Sequence, residues 1–93
     1  MIVGVLTARM GIYESRSLKD KRRVTRSLKD RIRRQHNVSI AEVDDLEHRQ
    51  AATFGIAVVS NEARVAQQVL DSIVGELQAY VHASLLEFDI EML

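Results

Sequence analysis

The densest set of side chains able to do acid–base or metal chemistry is Asp44, Asp45, Glu47 and His48, a run interrupted only by Leu46. Paired carboxylates beside an imidazole can supply hard-metal ligands or a general acid and base. The run lies between two strand-like stretches, where Asp is also a residue that turns the chain, and a polar hairpin turn accounts for it more simply. The remaining candidates are scattered. His36, His48 and His82 keep no ligand spacing and stand at helix ends or in the turn. Ser15, Ser17 and Ser27 have no neighbouring His–Asp arrangement, so nothing points to an activated nucleophile. Gly4 and Gly11 do not form a phosphate loop. The absence of Cys excludes thiolate catalysis, disulfides and Cys-ligated zinc. The protein is therefore not expected to be an enzyme, and no cofactor, metal or small-molecule substrate is expected.

The stretch with chemical character is Ser17–Gln35, SLKDKRRVTRSLKDRIRRQ. At about 100° per residue, Leu18, Val24, Thr25, Leu28, Ile32 and Gln35 gather on one side with the stem of Lys21. The opposite arc collects Lys19, Arg22, Arg23, Arg26, Lys29, Arg33 and Arg34, with Asp30 inside it and Asp20 at its border. Ser17 suits an N-cap, Asp20 the positive first turn, and Arg33 and Arg34 the negative end. Like charges four apart, Lys19/Arg23, Arg22/Arg26 and Lys29/Arg33, cost roughly 0.2–0.5 kcal/mol each. Pairs Arg26–Asp30 and Asp30–Arg34 are expected to recover part of that. Solubility alone does not require such a bias. Either an anionic partner faces these cations, or carboxylates of this protein or of a neighbouring subunit do.

Ninety-three residues with 46 % hydrophobic and 28 % charged content describe one soluble folded domain, residues 1–93. No Pro and only four Gly leave no linker. No apolar run approaches the roughly 20 residues of a membrane helix, and MIVGVLTARM begins as an alternating strand rather than a signal peptide. A cytoplasmic protein without membrane contact is expected. The zero net charge conceals a division. Residues 1–36 hold eleven Lys/Arg against three Asp/Glu, net +8, and residues 37–93 hold two against ten, net −8. Such asymmetry points to an interaction surface or to self-association.

Met1 to about Ile12 reads as a central strand, apolar on both faces. The basic helix follows the loop Tyr13–Arg16 and ends at His36-Asn37. Val38–Val43 and Ala51–Val59 read as an antiparallel hairpin around the polar turn. Ser60-Asn61 offers caps for a second helix running to about Val81, with Ala66, Val69, Leu70, Ile73, Leu77 and Tyr80 at helical spacing. Leu85–Leu93 closes as a strand, with Leu86, Phe88, Ile90 and Met92 inward and Glu87, Asp89 and Glu91 outward. The order βαββαβ is the ferredoxin-like α+β plan, a four-stranded antiparallel sheet with both helices on one face. Right-handed crossovers put strands one and three at the centre. The second sheet face then carries Val3, Val5, Thr7, Thr53, Ala57 and Val59, too apolar to stay fully wet. A homo-oligomer formed through that face is expected.

Several strings resemble the YlxP-like family of small bacterial proteins of unknown function. They are the opening MIVGV, Arg16–Arg22 (RSLKDKR), Asn37–Val43 (NVSIAEV) and Gly55–Asn61 (GIAVVSN). The resemblance covers nearly the whole chain and implies a ferredoxin-like fold. It also implies a setting near translation and ribosome maturation, through the genes that neighbour the family's members, and no established activity. Where the family commonly carries D-x-W-Q-R before strand three, this chain has Glu47-His48-Arg49-Gln50-Ala51, without the Trp and with Ala for the final Arg.

Sheet faces of this plan bind RNA when aromatics stack bases. Here both Phe are expected to point toward the helices, and acidic residues share the open face. RNA contact would instead run along the basic helix, through phosphates. Two functions follow. One is an accessory factor docking on rRNA or a ribosomal subunit; the other is an oligomeric protein-interaction module that binds no nucleic acid.

Overall fold

The computed structural model describes residues 1–93 and has the expected ferredoxin-like order: β1 (Ile2–Gly11), α1 (Leu18–Gln35), β2 (Ser39–Asp44), β3 (Ala51–Ser60), α2 (Ala63–Ala79) and β4 (Ser84–Met92). All strand pairs are antiparallel and the sheet order is β2-β3-β1-β4, so β1 and β3 are central. Alternation sorts β1 into Leu6, Ala8 and Met10, fully buried, and Val3, Val5 and Thr7 on the other face. Phe54, Ile56 and Val58 continue the buried layer on β3. Helix α1 packs beside β2 and contributes Leu28 and Ile32, while α2 lies over β1, β3 and β4 and contributes Leu70, Ile73 and Leu77. At Gly4 the helix comes close to the sheet. A Cβ there would lie 3.0 Å from Leu70 Cδ1 and 3.3 Å from Ala66 Cβ, so glycine sets the depth to which α2 settles.

The cap of α1 forms as its sequence dictates. Ser17 is extended, and its hydroxyl accepts from the Asp20 N–H at 3.0 Å. Asp20 reciprocates one residue further out, accepting from the Arg16 N–H at 3.1 Å. The start of α2 departs from the expected Ser60-Asn61 cap. Glu62 is the N-cap and makes no side-chain cap bond; Ser60 Oγ accepts from the Glu62 N–H, which holds the approach to the helix. Helix α2 ends at Ala79, short of Val81. The helix ends of α1 and α2 are tied by His36 Nε2 against Glu76 Oε2.

Strand β4 corrects the expected alternation. The register slips between Arg9 and Met10, so Met10 pairs with Leu85 and Arg9 with Glu87. Leu86 becomes the extra residue of a bulge and is 43 % exposed rather than inward. Phe88 pairs with Ala8 on the helix side, yet on this edge strand it is only partly covered. A second slip, between Glu42 and Asp44, turns both Val43 and Asp44 toward the open face, Val43 lying over Gly55.

Candidate nucleic-acid interface

Helix α1 presents its cations as the periodicity requires. Lys19, Arg22, Arg23, Arg26, Arg33 and Arg34 are exposed and Lys29 is half-buried. The expected pairs Arg26–Asp30 and Asp30–Arg34 do not form. Asp30 instead approaches Arg33, at 3.9 Å between Oδ1 and Nη1. Arg33 is set apart in a second way, since its Nη2 donates to the carbonyl of Ile40 on the β2 edge at 2.9 Å. Its guanidinium caps a backbone acceptor that an edge strand would otherwise leave to solvent. No carboxylate lies within 4.0 Å of Lys19, Arg22, Arg23, Arg26, Lys29 or Arg34. Arg23, Arg26, Ser27, Asp30 and Arg34 border a shallow groove along the helix. Arg31, which the sequence reading leaves off the basic face, is exposed beside it. From Lys19 to Arg34 the charges extend over roughly 22 Å at 1.5 Å per residue.

The opposite side of α1 holds a different cation. Lys21 is 1 % exposed, one of the largest fully buried side chains of the protein and the one charged among them. Its Nζ donates to the Asp45 carbonyl at 2.7 Å, approaches the Leu46 carbonyl at 3.5 Å and lies 2.8 Å from Glu42 Oε2. Glu42 Oε2 is itself buried and has no partner in hydrogen-bond geometry, so the ammonium compensates it through charge more than direction. The helix is thereby bound to the β2–β3 turn through its interior face. Helical spacing assigns only the stem of Lys21 to the core, and nothing in it points to this pair.

The turn itself is organised by Asp45. It is the one non-glycine residue with positive φ, 61°, a left-handed conformation that Asp tolerates. Its Oδ2 accepts from Thr53 Oγ1 at 2.6 Å and from Arg9 Nε at 3.1 Å. The Thr53 hydroxyl and then the Arg9 guanidinium hold the Asp45 carboxyl below its ordinary 3.8, against a smaller opposing effect of burial. A carboxylate whose folded pKa is depressed stabilises fully above its ordinary value and loses that contribution as pH falls through the lowered one. Asp45→Asn is expected to flatten the acid limb of stability below pH 3.8, read as urea midpoint against pH. Parallel acid limbs for the two proteins would contradict this. The acidic run thus builds a turn, and Gln50 completes it: its Nε2 donates to the Tyr13 and Ser15 carbonyls, at 3.2 Å each.

Val3, Val5, Thr7, Ala57 and Val59 share the open sheet face, and Thr53 lies on it too, though the turn covers Thr53 to 8 % exposure. Beside them run Glu87, Asp89 and Glu91, paired in register with Arg9, Thr7 and Val5. Phe88 borders the cleft of Thr7, Arg9, Thr53, Glu87 and Asp89, and the Tyr13 ring lies over Gly11 at the end of the face, but neither stands among the apolar residues of its centre, and the acids oppose phosphate and with it base stacking on the sheet. The cationic helix lies at the β2 end of the sheet and the acidic strand forms the other edge.

The model of a family described as a protein of unknown function, DUF503, matches residues 3–90. The chain belongs to the DUF503 family. It is 29 % identical over 79 residues to the uncharacterized protein YlxP of Bacillus subtilis (strain 168), an alignment covering 85 % of this chain and 86 % of the Bacillus protein. The YlxP-like resemblance of the RSLKDKR and NVSIAEV strings is thus shown. DUF503 membership brings no activity with it. No helix of this member is long and apolar enough to cross a membrane.

Proposed function

We propose that this protein is an RNA-associated accessory factor that binds the phosphates of structured RNA, ribosomal RNA in particular, along α1. The observation that carries the reading is the set of six cations on the basic face of α1, with Arg31 beside them, that have no carboxylate in reach. Six cations held at like-charge spacing cost helix stability, and an anionic partner turns that cost into binding. Their array follows one helix of 18 residues, which suits a phosphate backbone read by position and shape and supplies no base-edge recognition. Arg33, engaged with Asp30 and the Ile40 carbonyl, is the least available of the seven.

The test is binding of the purified protein to a folded ribosomal RNA fragment across a salt series. The logarithm of the association constant is expected to fall linearly with the logarithm of salt concentration. The slope reports roughly 0.7–0.9 counterions per phosphate contact. No binding at low salt overturns the proposal.

A further inference from the structure

We propose that the open sheet face is the interface of a homodimer whose two-fold axis runs parallel to the strands, setting Glu91 of each copy against Arg33 of the other. This goes beyond the RNA reading and does not depend on it. The centre of the face is apolar and uncovered, with Val59 64 % and Val43 55 % exposed beside Val3, Val5 and Ala57. Such a patch on one side of a four-stranded sheet fits face-to-face packing against a second sheet.

Charge chooses the occupant and its orientation. Ser39, Ala57, Val5 and Glu91 form one row straight across the sheet, from the β2 edge to the β4 edge. Arg33 lies at the Ser39 end of that row. It donates to Ile40 O and lines a shallow cleft with Ser39, Ala57 and Val59, so its guanidinium reaches the rim of the open face. The row is therefore apolar in the middle, cationic at one end and anionic at the other.

A two-fold axis along the strands, passing between β1 and β3, lays each row over its own copy with the ends exchanged. Val5 then covers Ala57 of the second copy, Val3 covers Val59, and Glu91 stands over Ser39 beside Arg33. Long side chains at both ends span the roughly 10 Å between packed sheets. An axis across the strands would instead place β4 over β4 and set Glu87, Asp89 and Glu91 against the same three acids, which like-charge repulsion opposes. The row is self-complementary under the first operation only, and that makes a second copy of this chain the fitting partner.

Sedimentation equilibrium of the full chain over a concentration series is the test. Glu91→Arg and Arg33→Glu are each expected to weaken the dimer about tenfold or more, because each change acts at two symmetric sites. The combined Glu91→Arg/Arg33→Glu variant is expected to return to within about threefold of the unaltered protein. Arg33 also caps Ile40, so Val59→Asp provides a variant outside that contact; it places a charge in the apolar part of the interface and is expected to give a folded monomer, with native far-UV circular dichroism and a melting temperature that no longer depends on concentration. A wild-type protein that stays monomeric up to about 100 µM overturns the proposal. So does a dimer that Val59→Asp leaves intact, one that either single reversal leaves unweakened, or one in which the double reversal is no tighter than the single ones.

Discussion

Replacing Lys21 by Met is expected to lower the unfolding free energy by about 3–5 kcal/mol, a large part of what a domain of this size has. The substitution keeps the volume and the apolar stem, so no cavity opens. What it removes is the ammonium that lies 2.8 Å from Glu42 Oε2 and donates to the Asp45 carbonyl. The Glu42 carboxylate, 13 % exposed and without any other partner for that oxygen, would be left as an uncompensated charge beside the core. Glu42→Gln is expected to cost less, because the ammonium keeps its carbonyl acceptor at Asp45. The pair reading makes a sharper demand on the double variant. Lys21→Met combined with Glu42→Leu removes both charges and is expected to recover most of the loss, since apolar replacement of a buried ion pair is often neutral or better. Urea unfolding of the unaltered protein, Lys21→Met, Glu42→Leu and the Lys21→Met/Glu42→Leu variant closes the cycle. A coupling energy under about 0.5 kcal/mol would show that the two side chains are merely neighbours.

The extent to which sequence exposes this protein can be followed residue by residue. Helix α1 was legible because its apolar seam, its Ser17 cap and its terminal charges all point to one register, and the cap bond forms as expected. Strand order followed from handedness of the crossovers and needs no side-chain detail. The slip in β4 was not legible, because Leu85 and Leu86 are adjacent and identical, and either satisfies an inward position. The expected Arg26–Asp30 and Asp30–Arg34 pairs failed because helical spacing permits three partners for Asp30, and the structure shows the third, Arg33.

The buried pair was half legible. Lys21 lies near the middle of the seam, an unusual place for a side chain meant only to lend its stem, and Glu42 shares the inward parity of Ile40 on β2. Nothing in either element alone says that the two meet. They come together because α1 packs beside β2, a fact of tertiary arrangement. Asp45 was hidden in the same way. In sequence it is one of a run of acids; in the fold it takes the left-handed position and receives Arg9 and Thr53 from two central strands. The run that looked closest to a catalytic set is therefore a structural joint. The α1 cations differ from it in that sequence predicts their exposure, while only coordinates show that six of them have no carboxylate within 4.0 Å.

Reversing Arg22, Arg23 and Arg26 together to Glu is expected to weaken binding of structured RNA by about a hundredfold or more at moderate salt. The three side chains are exposed, clustered within the first half of α1, and have no carboxylate within 4.0 Å. Each loses a phosphate contact and then repels the site it vacates, so reversal exceeds neutralisation. The salt slope should fall by roughly 2–3, close to one unit per lost contact. Stability is a clean control here. None of the three contributes to the core, and Arg23→Glu stands four residues from Lys19, where the pair becomes attractive; the melting temperature is expected to stay nearly unchanged. Two outcomes separate an electrostatic face from a specific one. If the triple variant loses affinity equally for several folded RNAs, phosphates carry the recognition. If affinity survives and the salt slope is unaltered, RNA contacts lie elsewhere, and the unpaired arginines of α1 must be explained by an acidic protein surface instead.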